Sequence, residues 1–147
     1  MTKIMDLHCD TISRIRSRRN EGHICGLQDN HFHVDLKRMK EAGYSLQTFA
    51  LFTDAAEEES PFFASMELLD IFREEMKKND DWIRQVITYE DLEKNEAEGK
   101  LSALLSVEDG GVSMGLPDIL EEYRKAGVRL MTLTWNHENV LAYPNKV

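Results

Sequence analysis

Apolar segments that alternate with helical patterns constrain the fold of this chain more than any other feature. Four such segments occur, at residues 3–9, 44–53, 101–107 and 128–134, and stretches with helical spacing lie between them. Segments that are apolar on both faces are typical of parallel strands, which are buried between helices and a core. The sequence therefore predicts an α/β fold built from parallel β/α units.

Local signals mark where the predicted helices begin and end. Gly43 follows a predicted helix over residues 35–42 and supplies the left-handed position at its carboxyl end. Thr88 and Asp91 have the spacing of a capping box, and Pro61 after Ser60 is typical of a first helical position. Beyond Pro61, an apolar stripe at spacings of three and four predicts one buried helix face: Phe62, Met66, Leu69, Phe72 and Met76.

Polar side chains directly follow three of the four predicted strands. His8 and Asp10 end the first strand, Glu108 and Asp109 end the third, and residues 135–139 follow the fourth. The carboxyl ends of parallel strands meet at one edge of a sheet or barrel, where functional sites are usually found. The sequence therefore predicts one site at this edge. Asp109 falls on the opposite face of its strand from Glu108.

The donor types in these clusters are those of a divalent-metal site. Alternation along the first strand predicts Asp6, His8 and Asp10 on one face and Cys9 on the other. One imidazole nitrogen with carboxylate oxygens suits Zn²⁺, Mn²⁺ or Fe²⁺, so we predict His8, Asp10 and Glu108 as metal ligands. A carboxylate can also bridge two metal ions. Asp6 is predicted either to orient a ligand or to be a buried acid paired with the backbone.

Other side chains that could carry chemistry have two interpretations each. Trp135 and His137 share a face after the fourth strand, so either could contact a substrate, and packing is the alternative for Trp135. Cys9 is predicted to be a small core residue rather than a nucleophile. Three further histidines are predicted to lie at the surface, in a long polar loop over residues 20–33: His23, His31 and His33.

Composition limits the classes of partner. The chain has 147 residues, the size of one domain, and a formal net charge of -9, which argues against nucleic acid as a partner. No signal peptide is visible, and no segment approaches the roughly 20 apolar residues of a membrane span. Cys9 and Cys25 have no paired spacing. We therefore expect a cytoplasmic protein without a membrane segment.

The ordered combination of motifs resembles the renal (membrane) dipeptidase family, peptidase family M19, within the amidohydrolase superfamily. The residues that carry the resemblance are 6–11, 33–36, 105–111 and 130–139. It implies the amino-terminal half of a TIM-type (β/α)₈ barrel, because such a barrel takes about 250 residues. Residues 1–147 would then form a single incomplete domain of about four β/α units.

The resemblance also implies zinc-dependent hydrolysis of dipeptides, in which a metal-bound hydroxide attacks the peptide carbonyl. His8 and Asp10 would bind one of two zinc ions, and Glu108 would bridge both, although other divalent metals are possible. The family's remaining metal histidines and its proton-handling aspartate come from later strands, so no catalytic residue is predicted here. Trp135 departs from the family, since relatives often carry a substrate-contacting histidine there, and His137 could substitute for it.

Two alternatives remain open at this point. The chain could be catalytically incomplete and act as a non-enzymatic binding or assembly module. Four strands cannot close a barrel, so we expect a homo-oligomer or pairing with a missing carboxyl-terminal half. The second alternative is another amidohydrolase, which acts on a lactone, a cyclic amide or a phosphoester.

Overall fold

Parallel strands form a single sheet in the computed structural model, which describes residues 3–145. The outermost residues of the predicted domain, 1–2 and 146–147, lie outside the described residues. In sheet order, β1 pairs with β2, β2 pairs with β4, and β4 also pairs with β3 and β5. The strands are β1 (Ile4–Asp6), β2 (Tyr44–Phe52), β3 (Ile83–Gln85), β4 (Leu101–Glu108) and β5 (Val128–Met131).

Helices connect the strands, which confirms the predicted α/β fold of parallel β/α units. They are α1 (Thr11–Asn20), α2 (Leu36–Ala42), α3 (Pro61–Lys78), α4 (Tyr89–Ala97) and α5 (Pro117–Lys125), with a 3₁₀ turn at Gly110–Ser113. The capping box at Thr88 and Asp91 is present, and Gly43 ends α2 with a φ of 81°. Within residues 3–145, no helix combines the length and apolarity that a membrane crossing requires.

Two short strands share one side of β4. β5 begins opposite Leu105, so on this side of β4, away from β2, it does not reach the amino half of the strand. β3 fills this gap by pairing with Leu101–Ala103. The gap would otherwise leave backbone N–H and C=O groups without hydrogen-bond partners, and this explains why the short segment at residues 83–85 becomes a strand.

Burial differs between the central and the outer strands. Almost every residue of β2 and β4 is buried, and Phe49 and Leu105 pack into the core beneath the helices. Met5 in β1 and Leu130 in β5 are instead 53% and 44% exposed. The prediction of burial on both faces is therefore wrong for β1 and β5, because each of them pairs with one neighbour only among the described residues.

The buried face of α3 is rotated from the predicted stripe. Leu69 and Phe72 are buried as predicted. Glu75, on the predicted polar face, is also fully buried. Its carboxylate accepts a hydrogen bond from the backbone N–H of Leu27 at 2.7 Å and forms an ion pair with Arg19 at 2.5 Å. The other residues of the stripe are only partly buried: Phe62, Met66 and Met76.

Asp35 joins the loop before α2 to that helix. Its buried carboxylate accepts hydrogen bonds from the backbone N–H of Arg38 at 2.9 Å and from the guanidinium of Arg38 at 2.6 Å. Burial opposes ionisation of this carboxyl, but the N–H donors outweigh burial and hold its pKa below the usual range. The charged form of Asp35 therefore stabilises the fold.

We expect Asp35→Asn to lower the free energy of unfolding at neutral pH by about 1 kcal/mol, because it removes a charge-assisted hydrogen bond. Since folding lowers the pKa of Asp35, the stabilisation is present above the unfolded pKa and is lost as the pH falls through the folded value. The difference between wild type and variant should thus shrink below about pH 4. Urea unfolding at several pH values measures this difference in the free energy of unfolding, with Asp29→Asn as a surface control. A constant difference would contradict this prediction.

Candidate metal centre

The carboxyl ends of β1, β2 and β4 meet at one edge of the sheet. Phe52, the last residue of β2, is paired with Glu108, the last residue of β4. Cys9 continues the pairing with β2 beyond Asp6, the last residue of β1. Its N–H donates to the carbonyl of Thr48, and its carbonyl accepts from the N–H of Ala50, both at 3.0 Å. The residues next to Cys9 therefore lie near the end of β4.

A bulge in the chain after β1 shapes the approach to the site. Asp6 is paired with Gln47, and the hydrogen bonds of Cys9 place it opposite Phe49. From Asp6 to Cys9 the first segment advances by three residues, while β2 advances by only two, from Gln47 to Phe49. The extra residue breaks the alternation of side chains. Asp6 consequently lies on the same side of the sheet as Cys9, and the predicted common face of Asp6 and His8 is wrong.

His8, Asp10 and Glu108 converge at this edge. The Nε2 atom of His8 lies 3.5 Å from Oδ1 of Asp10 and 3.3 Å from Oε2 of Glu108. One ligand atom from each residue lies within 4.8 Å of the other two. Zinc ligands stand about 2.0–2.1 Å from the ion, which separates neighbouring ligand atoms in a tetrahedron by roughly 3.3 Å. The two distances from Nε2 of His8 therefore match the ligand spacing around a zinc-sized ion.

The electrostatics of Glu108 also favour a cation. Burial has the largest effect and raises the pKa of the Glu108 carboxyl above its usual range. His8 opposes this shift, and the negative charges of Asp10 and Asp109 add to it. A cation among these carboxylates would offset both the desolvation and the repulsion.

A cavity of about 340 Å³ adjoins the cluster. Asp6, His8 and Asp10 line it together with Arg14 and His33. Asp6 accepts a hydrogen bond from the backbone N–H of His8 at 3.2 Å, so its contact is with the backbone and not with the imidazole. His33 is exposed, as the sequence predicted, but the fold of the loop before α2 places it beside the cluster, which no local pattern indicated.

Trp135 and His137 have different surroundings. The indole of Trp135 packs edge-on against Phe52, with ring centroids 4.9 Å apart and planes inclined by 62°. Trp135 therefore lies beside the end of β2. His137 is exposed and forms no hydrogen bond or ion pair within residues 3–145. Substrate contact by either residue remains a prediction.

Asp109 connects three segments at the same edge, a role that the sequence did not reveal. Its buried carboxylate accepts hydrogen bonds from the backbone N–H of Ala55 at 3.2 Å and of Gly111 at 3.0 Å. The side-chain amide of Asn139 donates a third hydrogen bond at 2.8 Å. Asp109 thus joins the loop after β2, its own loop and the segment after β5.

Asn139 and Gly111 complete this junction. Asn139 also donates to the carbonyl of Leu133 at 2.8 Å and accepts from the N–H of Leu141 at 2.8 Å, so it closes a turn in its own segment. A Cβ on Gly111 would lie 3.0 Å from the Cβ of Ala55 and 3.1 Å from that of Asn139. The close approach of these two segments therefore favours glycine at position 111.

Comparison with known proteins gives a family. A family model described as "Membrane dipeptidase (Peptidase family M19)" matches residues 1–145. Among curated proteins, none matches the chain.

Several solved structures share the fold. The metallopeptidase dipeptidase AC, of family M19, has a TM-score of 0.75 at 20% identity, and the match covers 94% of this chain and 44% of that chain. A metallopeptidase from Rhodobacter sphaeroides, bound to a phosphinate mimic of the dipeptide L-Ala-D-Ala, has a TM-score of 0.75 at 18% identity and coverages of 95% and 48%. An amidohydrolase from Pseudomonas aeruginosa has a TM-score of 0.66 at 17% identity, and the match covers 74% of this chain and 32% of that chain. This chain therefore spans less than half the length of each.

Cys9 lies between His8 and Asp10, but its side chain belongs to the core. Burial raises the pKa of the Cys9 thiol from 9.0 to about 11, which leaves roughly 100-fold less thiolate at pH 8 than an unperturbed thiol has. We expect iodoacetamide to alkylate the half-buried Cys25 while Cys9 stays unmodified. Peptide mass spectrometry over time measures both rates, with urea-unfolded protein as the control. Equal rates in the folded chain would contradict the core assignment of Cys9.

Proposed function

Because the chain belongs to the membrane dipeptidase family, peptidase family M19, we propose that it contributes metal ligands to an enzyme that hydrolyses dipeptides. The observation that carries this proposal is the convergence of His8, Asp10 and Glu108 at the carboxyl edge of a parallel sheet. This edge is where α/β folds of this type form their sites.

Zinc is the ion that we assign to these three residues. A nitrogen ligand with carboxylate oxygens favours zinc, manganese or iron over magnesium or calcium. When bound, zinc supplies Lewis-acid polarisation of a carbonyl and activation of water. His8 and Asp10 would hold one ion, and Glu108 would be the ligand shared with a second one. Since zinc takes four ligands, two ions require donors beyond these three side chains.

Substrate contact would come from the segment after β5. Trp135 lies beside Phe52 with about a third of its surface exposed, so it offers an apolar face to one side chain of a dipeptide. An indole donates a hydrogen bond but cannot accept one or transfer a proton. We therefore assign polar contacts with the substrate to His137, on the same segment.

The exposed strand edges favour a further polypeptide in the active form. β1 and β5 each pair with one strand only among the described residues, and they expose Met5 and Leu130. Unpaired edges with apolar side chains are templates for association. We propose that a second copy of the chain, or a carboxyl-terminal half of the barrel, covers them. The same edges favour an assembly module as the second candidate function.

We expect the chain to bind Zn²⁺, and His8→Ala to weaken binding by more than about 10-fold, because removal of even a residue that orients a ligand costs that much. Competition with a chromogenic chelator measures the affinity. His31→Ala is the matched control, since His31 is exposed and does not line the cavity at the cluster. Equal affinities for the two variants would show that His8 is not a ligand.

We expect hydrolysis of dipeptides in the presence of Zn²⁺, and loss of that activity in Glu108→Gln, because the amide cannot replace a charged carboxylate among the ligands. The chain should be assayed alone and mixed with the remaining part of a family M19 barrel, against dipeptides, lactones, cyclic amides and phosphoesters. Turnover of a non-peptide substrate alone would favour another amidohydrolase. Absence of all turnover, with a stable dimer by light scattering, would favour the assembly module.

A further inference from the structure

We propose that Asp109 is a positioning residue of the site, which, together with Asn139, fixes the Glu108 carboxylate and the segment that carries Trp135. The inference rests on the proposed function only in taking Glu108 as a metal ligand. It concerns residues that do not themselves reach the cluster of His8, Asp10 and Glu108.

The first observation is how Asp109 is buried. Asp109 is 2% exposed and forms no ion pair within residues 3–145, so three N–H donors alone compensate its charge. Buried charges are retained only where donors satisfy them well. These donors come from Ala55, Gly111 and Asn139, which lie on three separate segments. Loss of the carboxylate would remove the side-chain links from its own loop to the segments that carry Ala55 and Asn139.

The second observation is the backbone at Asp109. Its φ is 70°, in the region that side chains other than glycine rarely adopt. Such a conformation is strained and persists only where surrounding contacts enforce it. The peptide that joins Asp109 to Glu108 is therefore held in one orientation. The direction of the Glu108 side chain depends on that orientation.

The third observation is that the segment after β5 is fixed at two points. The N–H of Gly110 donates to the carbonyl of Thr132 at 2.8 Å, just before Trp135. After Trp135, the side-chain amide of Asn139 donates to the Asp109 carboxylate and to the carbonyl of Leu133. Trp135 lies between these two points. The clamp formed by Asp109 and Asn139 thus holds the indole against Phe52, beside the end of β4.

Substitutions can separate charge from backbone strain. Oδ1 of Asp109 accepts from Gly111 and Asn139, and Oδ2 accepts from Ala55. An asparagine at this position tolerates a positive φ but can satisfy only one of these two sides. Asp109→Asn therefore breaks part of the clamp without a change in backbone preference. Asn139→Asp places two carboxylates in contact, and the exchange Asp109→Asn/Asn139→Asp restores a donor between them.

A fluorescence experiment tests the clamp without any metal. The chain has two tryptophans, so Trp82→Phe leaves Trp135 as the reporter. In that background we expect Asp109→Asn and Asn139→Asp to raise acrylamide quenching of Trp135 roughly twofold through local opening. The exchange variant should return toward wild type. Asn95→Ala, which removes two side-chain hydrogen bonds at the amino end of β4, away from the site, should leave quenching unchanged.

Zinc affinity tests the consequence for Glu108. We expect Asp109→Asn to weaken Zn²⁺ binding about 10-fold, as is typical for groups that orient a ligand, and Asn95→Ala to have no effect. If Asp109→Asn matches Asn95→Ala in both quenching and affinity, the positioning role is overturned. If wild type binds no Zn²⁺, the metal assignment of the proposed function fails, and quenching of Trp135 alone then supports or overturns the clamp.

Discussion

The parallel pairing of β2 with β4 is the constraint on which the site depends. It runs without a break from Leu46 opposite Ser102 to Phe52 opposite Glu108. Because side chains alternate along a strand, a slip of one residue would turn Glu108 toward the helices. The other parts of the site are added to this pair from its two sides. Cys9 brings His8 and Asp10 alongside β2, and β5 brings the Trp135 segment alongside β4.

Features that depend on neighbouring residues in the chain could be predicted from the sequence. The capping box at Thr88 and the cap at Gly43 are local, and the parallel strands follow from repeated apolar segments. The bulge between Asp6 and Cys9 could not be predicted, since it exists only relative to β2. The contacts of Asp109 were hidden for the same reason. Two of its three donors lie far away in the chain: Ala55 is 54 residues earlier, and Asn139 is 30 residues later.

The exposure of the outer strands could not be predicted either, because it depends on which strands lie next to each other in the sheet. The apolar pattern of residues 3–9 and 128–134 predicted burial on both faces, but burial also requires a neighbour. Among residues 3–145, β1 and β5 have a neighbour on one side only, so Met5 and Leu130 face solvent. The two solved peptidases contain about twice as much chain as they share with this one. The apolar pattern of β1 and β5 is consistent with our proposal that a further polypeptide covers these edges.

Glu108 and Asp109 are adjacent acids whose surroundings give them opposite properties. Asp109 is buried and its oxygens accept three N–H donors, so its charge is already compensated and it can only hold segments together. Glu108 is partly buried, faces Nε2 of His8 and the Asp10 carboxylate, and has a pKa raised mainly by burial. Among residues 3–145 no backbone N–H donates to the Glu108 carboxylate, so its charge favours a cation. The number of N–H donors at each carboxylate, and not the sequence Glu-Asp, therefore separates the candidate ligand from the residue that positions it.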